Sequence, residues 1–263
     1  MRRYSNYHTH TTFCDGKNTP EEMVLAAIKA GCPSLGFSSH SYTAFDPGYC
    51  MAPETVPGYR EEILKLREKY RDKIRIYLGL ELDYFSEKPK EDFDYIIGSV
   101  HYVKKDGEYL PVDHSREIQI RQVEEHYGGD FYAFAEDYYT LVADVKRKTG
   151  CDIVGHFDLV TKFNEKDPLF DENNSRYRVA AEGALKTLLD QNALLEINTG
   201  AISRGYRTTP YPAPFLLEEM SRRGAKAVLS ADCHSAEGIC CAFDEAAALA
   251  EGCGVELTEL NLS

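Results

Sequence analysis

No apolar run in the chain approaches the roughly 18 residues that a membrane-spanning helix needs. The N-terminus, Met1-Arg2-Arg3-Tyr4, passes into a strand-like segment without the apolar stretch of a secretion signal, so a cytoplasmic protein is expected and no membrane partner. None of the eight cysteines stands in a Cys-x-x-Cys pair, which argues against both a disulfide framework and a zinc ribbon and for reduced thiols. Positive charge is scarce: 30 Lys and Arg face 43 Asp and Glu, a net −13. Such a field repels a nucleic-acid backbone, and no basic stripe offsets it, although small phosphorylated substrates are compatible with it where metal ions reverse the field locally. Also missing are a Gly-x-Ser-x-Gly nucleophile elbow, a phosphate-binding P-loop, internal repeats, linkers and low-complexity tracts. Residues 1–263 are therefore read as one domain, with self-association left open.

What is present is an alternation of two periodicities. Hydrophobic residues make up 43% of the chain, enough for a sizeable core. Runs rich in β-branched and aromatic residues at 5–10, 34–40, 74–83, 93–103, 152–158, 193–199 and 226–232 read as seven strands. Between them, Thr19-Pro20-Glu21-Glu22 reads as a helix start, with Thr19 as N-cap and Glu22 closing a capping box, and Gly31 ends that helix. Tyr59, Ile63, Leu66 and Tyr70 form an apolar stripe at helical spacing, as do Ala181, Ala184, Leu185 and Leu188, and Leu216 with Met220 on a shorter helix ending near Gly224. Strand-helix alternation of this length favours a parallel sheet with helical crossovers, closed as a barrel in our reading. The longest insertion, about 104–150, carries a Lys-Asp-Gly turn and two helix-like stretches and is expected to cover one rim.

Six of the eight histidines, His8, His10, His40, His101, His156 and His234, lie at or just past the C-terminal end of a predicted strand; His114 and His126 do not. In parallel α/β folds the loops after the strands converge on one face, which would gather these six imidazoles. Glu81 and Asp232 also end strands. Side chains at i and i+2 share a strand face, so His8 stands beside His10 and Asp232 beside His234, while Asp15 lies in a Gly-containing loop that can return over the same opening. Imidazole and carboxylate are ligands of zinc, iron and manganese, and about nine of them exceed what one such ion accepts.

His8-Thr9-His10, Ser38-Ser39-His40, Gly79-Leu80-Glu81, Gly98-Ser99-Val100-His101, Gly155-His156 and Ser230-Ala231-Asp232-Cys233-His234 resemble, in order and spacing, the motifs of the polymerase and histidinol phosphatase (PHP) family. Gly98-Ser99-Val100-His101, Gly155-His156-Phe157-Asp158 and Asn198-Thr199 are most similar to its histidinol-phosphatase branch. The resemblance implies an α/β fold, a distorted (β/α)7 TIM-like barrel, with three divalent ions (zinc, iron or manganese) at the C-terminal ends of the strands. It would place His8, His10, Glu81 and Asp232 around one ion, Glu81 bridging to a second held by His101 and His156, and Asp15, His40 and His234 around the third. Cys233 stands where a small Ala is more usual; strand alternation points it away from the ions, and it is read as packing, as is Cys14. Lys162 and Arg204 match places where the branch carries basic phosphate contacts, with Arg207 a third candidate and Arg204 favoured by its planar guanidinium.

The chemistry this implies is attack on phosphorus by a metal-bridging hydroxide, with Glu81, Asp15 and His234 as the catalytic candidates and no protein nucleophile. Family resemblance selects L-histidinol phosphate, hydrolysed to L-histidinol and inorganic phosphate in histidine biosynthesis. The residues by themselves support a small phosphomonoester. Its cationic organic end suits an acidic protein, and acidic or aromatic residues on the rim, from the 104–150 insertion, are expected to read it. Rival readings are action on nucleotides or other small phosphoesters, and a non-catalytic metal-stabilised scaffold; the latter should have lost several ligand positions, which this chain has not.

Overall fold

In the computed structural model, which describes residues 3–260 and so leaves Met1 and Arg2 of the N-terminal segment outside it, nine strands are formed in chain order. They are β1 (Ser34–Phe37), β2 (Arg75–Asp83), β3 (Tyr95–Ser99), β4 (Tyr102–Lys105), β5 (Glu108–Pro111), β6 (Ile153–Val154), β7 (Leu194–Asn198), β8 (Lys226–Ser230) and β9 (Glu256–Leu257). Seven of them pair in parallel in the order β1-β2-β3-β6-β7-β8-β9, while β4 and β5 form a separate antiparallel hairpin. Every residue of β1 and β3 is buried, as expected for strands covered on both faces.

The helices are α1 (Pro20–Ala30), α2 (Val56–Lys69), α3 (Arg116–Tyr127), α4 (Phe131–Thr149), α5 (Ser175–Asp190), α6 (Gly200–Ser203), α7 (Pro214–Arg222) and α8 (Phe243–Gly252). The capping box at the start of α1 is formed: Thr19 Oγ1 accepts from the Glu22 N–H, and the Glu22 carboxylate accepts from the Thr19 N–H. Tyr59, Ile63 and Leu66 of α2, Ala181, Ala184, Leu185 and Leu188 of α5, and Leu216 and Met220 of α7 all face the core. No helix among the described residues is long and apolar enough to cross a membrane.

Three expectations are corrected. The 5–10 segment is not a continuous strand but makes single parallel bridges, Asn6 to Leu35 and Thr9 to Cys233. The buried Asn6 side chain takes over ladder positions, its Oδ1 accepting from the N–H groups of His8 and Ala231 and its Nδ2 donating to the Ile239 carbonyl. The segment nonetheless lies between β1 and the end of β8, bonded to Ser34 and Gly36 on one side and to Cys233 on the other, and so closes the curled sheet. The seventh strand of the sheet is instead β9. Residues 93–103 split into β3 and β4 because Asp83 Oδ2 draws the His101 N–H out of line at 3.0 Å. Finally, the 104–150 insertion is only partly a rim element. The inner face of α4, Phe134, Ala135, Tyr138, Tyr139, Val142 and Val145, is buried, and the Tyr139 hydroxyl meets that of Tyr177 on α5 at 2.9 Å, so α4 serves as a crossover helix between β3 and β6.

Candidate metal centre

The six strand-end histidines converge on one face, brought there by the 5–10 segment (His8, His10) and by the chain just past β1, β3, β6 and β8 (His40, His101, His156, His234). Their rings are close-packed: His10 lies 4.1 Å from His234 and 4.2 Å from His40 between centroids, and His101 lies 4.9 Å from His156. Glu81, at the end of β2 and 1% exposed, stands in their midst. Its Oε2 is 2.8 Å from His40 Nδ1, 3.2 Å from His8 Nε2 and 3.5 Å from His10 Nε2. Its Oε1 is 3.0 Å from His156 Nε2 and 3.5 Å from His101 Nε2, and accepts the Ser99 hydroxyl at 2.6 Å. Each carboxylate oxygen thus faces a different set of imidazoles.

The other carboxylates sit at the edges of this array. Asp232 Oδ1 is 3.3 Å from His10 Nε2 and 3.7 Å from His8 Nε2, and its backbone adopts φ 45, a left-handed conformation that a non-glycine residue adopts only where its surroundings enforce it. Asp15 Oδ2 is 3.3 Å from His234 Nε2 on the open side. Among the described residues, ligand-type atoms come within 4.8 Å of one another in three groups: His8, His10 and Asp232; His40, Glu81 and His101; and His10, Asp15, His40 and His234. The partition expected from the resemblance differs in detail, since His10 and His40 each enter two groups and His156 reaches the array through Glu81 Oε1.

Electrostatics follow from burial and these neighbours. Burial lowers the His8 pKa, but the carboxylates of Glu196, Glu81 and Asp232 outweigh it and hold it well above the ordinary imidazole value. His10 is pushed down to about 3, first by burial and then by His234 and His40. In His101, burial is overcome by Glu81 and by the hydrogen bond to Asp83, which raise it to about 9. Burial would raise Glu81, yet His8, His40 and His101 keep it well below the usual carboxylate range; Arg204 and His8 do the same for Asp232. His8 Nε2, His10 Nε2 and Glu81 Oε2 are all buried without a hydrogen bond, although both nitrogens lie within 3.5 Å of that oxygen. Buried polar atoms left without hydrogen bonds and aimed at a common space fit a cation-binding centre.

Above the array opens a cavity of about 690 Å³. Arg204 lines it, donating from Nη2 to Asp232 Oδ2 at 2.9 Å and from Nη1 to the Asp232 carbonyl at 2.7 Å, and Nη1 lies 3.1 Å from His234 Nδ1. Lys162 also lines it, its Nζ donating to the Asp113 carbonyl and Oδ2, both at 2.9 Å, and lying over the rings of Phe163 and Tyr206. Arg207 does not line it. Its guanidinium is buried against Thr161, Thr209 and the Tyr211 ring, which corrects the expectation of a third phosphate contact there. Of the 104–150 insertion, only Pro111, Asp113 and His114 reach the cavity; its tyrosine lining comes instead from Tyr49, Tyr102 and Tyr206. Cys233 packs against Thr9 and Asn6, away from the array, whereas Cys14, expected merely to pack, brings its Sγ to 3.5 Å from His10 Nδ1.

Three acidic residues that hold this array or the cavity wall were not singled out from the sequence. Glu196 on β7 holds His8 Nδ1 at 3.0 Å, Asp83 holds His101 Nδ1 at 3.2 Å, and Asp113 holds Lys162. The first had a legible signal, a carboxylate alternating with apolar residues in Leu195-Glu196-Ile197, which a buried strand retains only when donors meet it.

Residues 6–200 match the PHP domain family. A protein of Deinococcus radiodurans named "Probable histidinol-phosphatase" is 33% identical over 241 residues, covering 86% of this chain and 85% of its own. The histidinol-phosphatase of Bacillus subtilis is 27% identical over 259 residues, covering 90% and 96%. Among solved structures, histidinol phosphate phosphatase from Lactococcus lactis, crystallised with zinc, L-histidinol and phosphate, superimposes with a TM-score of 0.74 at 22% identity, over 97% of this chain and 95% of that one. Fold, order of motifs and matched length agree, and the chain belongs to the PHP domain family.

Proposed function

We propose that this protein is a metal-dependent phosphomonoesterase that hydrolyses L-histidinol phosphate to L-histidinol and inorganic phosphate. The observation that carries the reading is Glu81 offering one oxygen to His8, His10 and His40 and the other to His101 and His156, beneath a cavity lined by His40, His101 and His156 and by Arg204 and Lys162. The nitrogen and oxygen donors suit zinc, iron or manganese, and the hydrogen-bond-free atoms of His8, His10 and Glu81 fit that use. His8, His10 and Asp232 would hold one ion, His101, His156 and Glu81 a second, and Asp15, His40 and His234 a third, with Glu81 shared. Bound divalent ions supply Lewis-acid activation of water and of the phosphoryl group near neutral pH.

The chain's own residues do the rest. Arg204 has two Nη–H groups committed to Asp232 and keeps others for phosphoryl oxygens, matching their planar geometry. Asp113 fixes the Lys162 ammonium, which adds a second positive contact. Asp15 and His234, paired at 3.3 Å on the open side, are the side chains we assign to protonating the leaving alkoxide. Asp46 and Glu237 line the cavity and suit the ammonium and imidazole of histidinol. The names of the relatives support this substrate, and eight unpaired cysteines support a cytoplasmic setting. The test is kcat/KM for histidinol phosphate against phosphoserine, a nucleoside monophosphate and an aryl phosphate under one metal condition, before and after chelation. Preference for either of the last two, or full activity after chelation, refutes the reading.

A further inference from the structure

A carboxylate in the middle of an apolar strand is retained only if donors surround it, and Glu196, 0% exposed between Leu195 and Ile197, is so surrounded. Its Oε1 accepts the His156 backbone N–H and the Asn198 side-chain N–H, each at 2.7 Å. His8 Nδ1 lies 3.0 Å from Oε2 and 3.2 Å from Oε1. An ionised carboxylate can only accept, so the proton of this contact belongs to His8 Nδ1, and Nε2, 3.2 Å from Glu81 and 3.7 Å from Asp232, is the nitrogen that would give up its proton to bind a cation. Through the other bond the same carboxylate fixes the backbone of His156, whose Nε2 lies 3.0 Å from the opposite oxygen of Glu81. Residues 8 and 156 come from distant parts of the chain, and β7 is the strand that stands next to β6 and brings Glu196 within reach of both.

We propose that Glu196 is a positioning residue that locks the tautomer and ring direction of His8, anchors His156, and thereby sets the affinity of the centre for divalent ions. The inference rests on the metal-dependent reading of this site. Asp83 holds His101 in a similar way, but it also accepts the Phe85 N–H and bonds a single ligand candidate, whereas Glu196 bonds two, the His8 ring and the His156 backbone, which face opposite oxygens of Glu81.

Glu196→Gln keeps the size of the side chain and one acceptor oxygen, but turns an amide NH₂ toward a site where every neighbour is a donor. Zinc affinity, measured by competition with a chelator in variant protein whose circular dichroism matches wild type, is expected to weaken about 10- to 100-fold. Unchanged zinc affinity in the folded variant overturns the proposal. Failure of the wild-type protein to bind zinc overturns the metal reading itself, and this inference with it. A second measurement needs no variant: long-range ¹⁵N–¹H correlation spectra of the zinc-loaded wild-type protein should show His8 protonated at Nδ1. A proton on Nε2 instead overturns the assignment even if Glu196→Gln does not fold.

Discussion

Gly200 opens α6 directly beneath the Arg204–Asp232 ion pair, and replacing it with alanine tests that pair without touching either charge. A Cβ at this position would lie 2.7 Å from Asp232 Oδ2 and 2.9 Å from Arg204 Nη2, against an ordinary contact distance of about 3.4 Å or more. Its backbone dihedrals are helical, so the strain is steric alone. The pair, now 2.9 Å apart, must be wedged open by several tenths of an ångström, enough to break a hydrogen bond of normal length. Overpacking of this kind costs about 1–3 kcal/mol. Spread over a chain of 263 residues with a typical unfolding entropy, it lowers Tm by about 2–6 °C. With Arg204 as the proposed phosphate contact, misplacing it should cost one charge-assisted bond, about 1.5–3 kcal/mol, and lower kcat/KM about 10- to 100-fold. The assays are differential scanning calorimetry and phosphate release from histidinol phosphate under fixed metal. A variant with wild-type Tm and wild-type kcat/KM would show that Gly200 does not hold the pair in place and refute the reasoning.

The remaining predictions concern the centre and its walls. Glu81→Gln should abolish turnover while circular dichroism stays native, because an amide oxygen can serve only one of the two imidazole sets; near-normal activity with full metal content would remove Glu81 from its bridging place. Arg204→Ala should raise KM and lower kcat/KM, and Lys162→Ala should do so more weakly, whereas Arg207→Ala should lower Tm by loss of its buried bonds with a smaller effect on KM; the reverse ranking in steady-state kinetics counts against the cavity assignment. Burial pushes the Cys233 thiol up to about 12, above its unfolded value, so the neutral thiol persists until pH approaches that value. Native protein at pH 8 should therefore leave Cys233 unalkylated by iodoacetamide in mass spectra, while unfolded protein is labelled there.

The gathering of His8, His10, His40, His101, His156, His234, Glu81 and Asp232 on one face was legible in the sequence because it depends on short-range rules. Strand alternation pairs i with i+2, and a parallel sheet sends the ends of its strands to the same side whatever their exact register. The α1 capping box and the apolar stripes of α2, α5 and α7 are local in the same sense. What required the tertiary structure are contacts between residues far apart along the chain. Glu196 meets His8 across 188 positions, Asp113 meets Lys162 across 49, and Arg207 turns into a buried site with Thr161 rather than into the cavity. The 5–10 segment reads as a strand by composition, but the Asn6 side chain competes with its backbone for partners that only the folded barrel presents. Periodicity decides which face a side chain takes; which partner waits there is decided by how strands and helices pack, and that depends on every other segment at once.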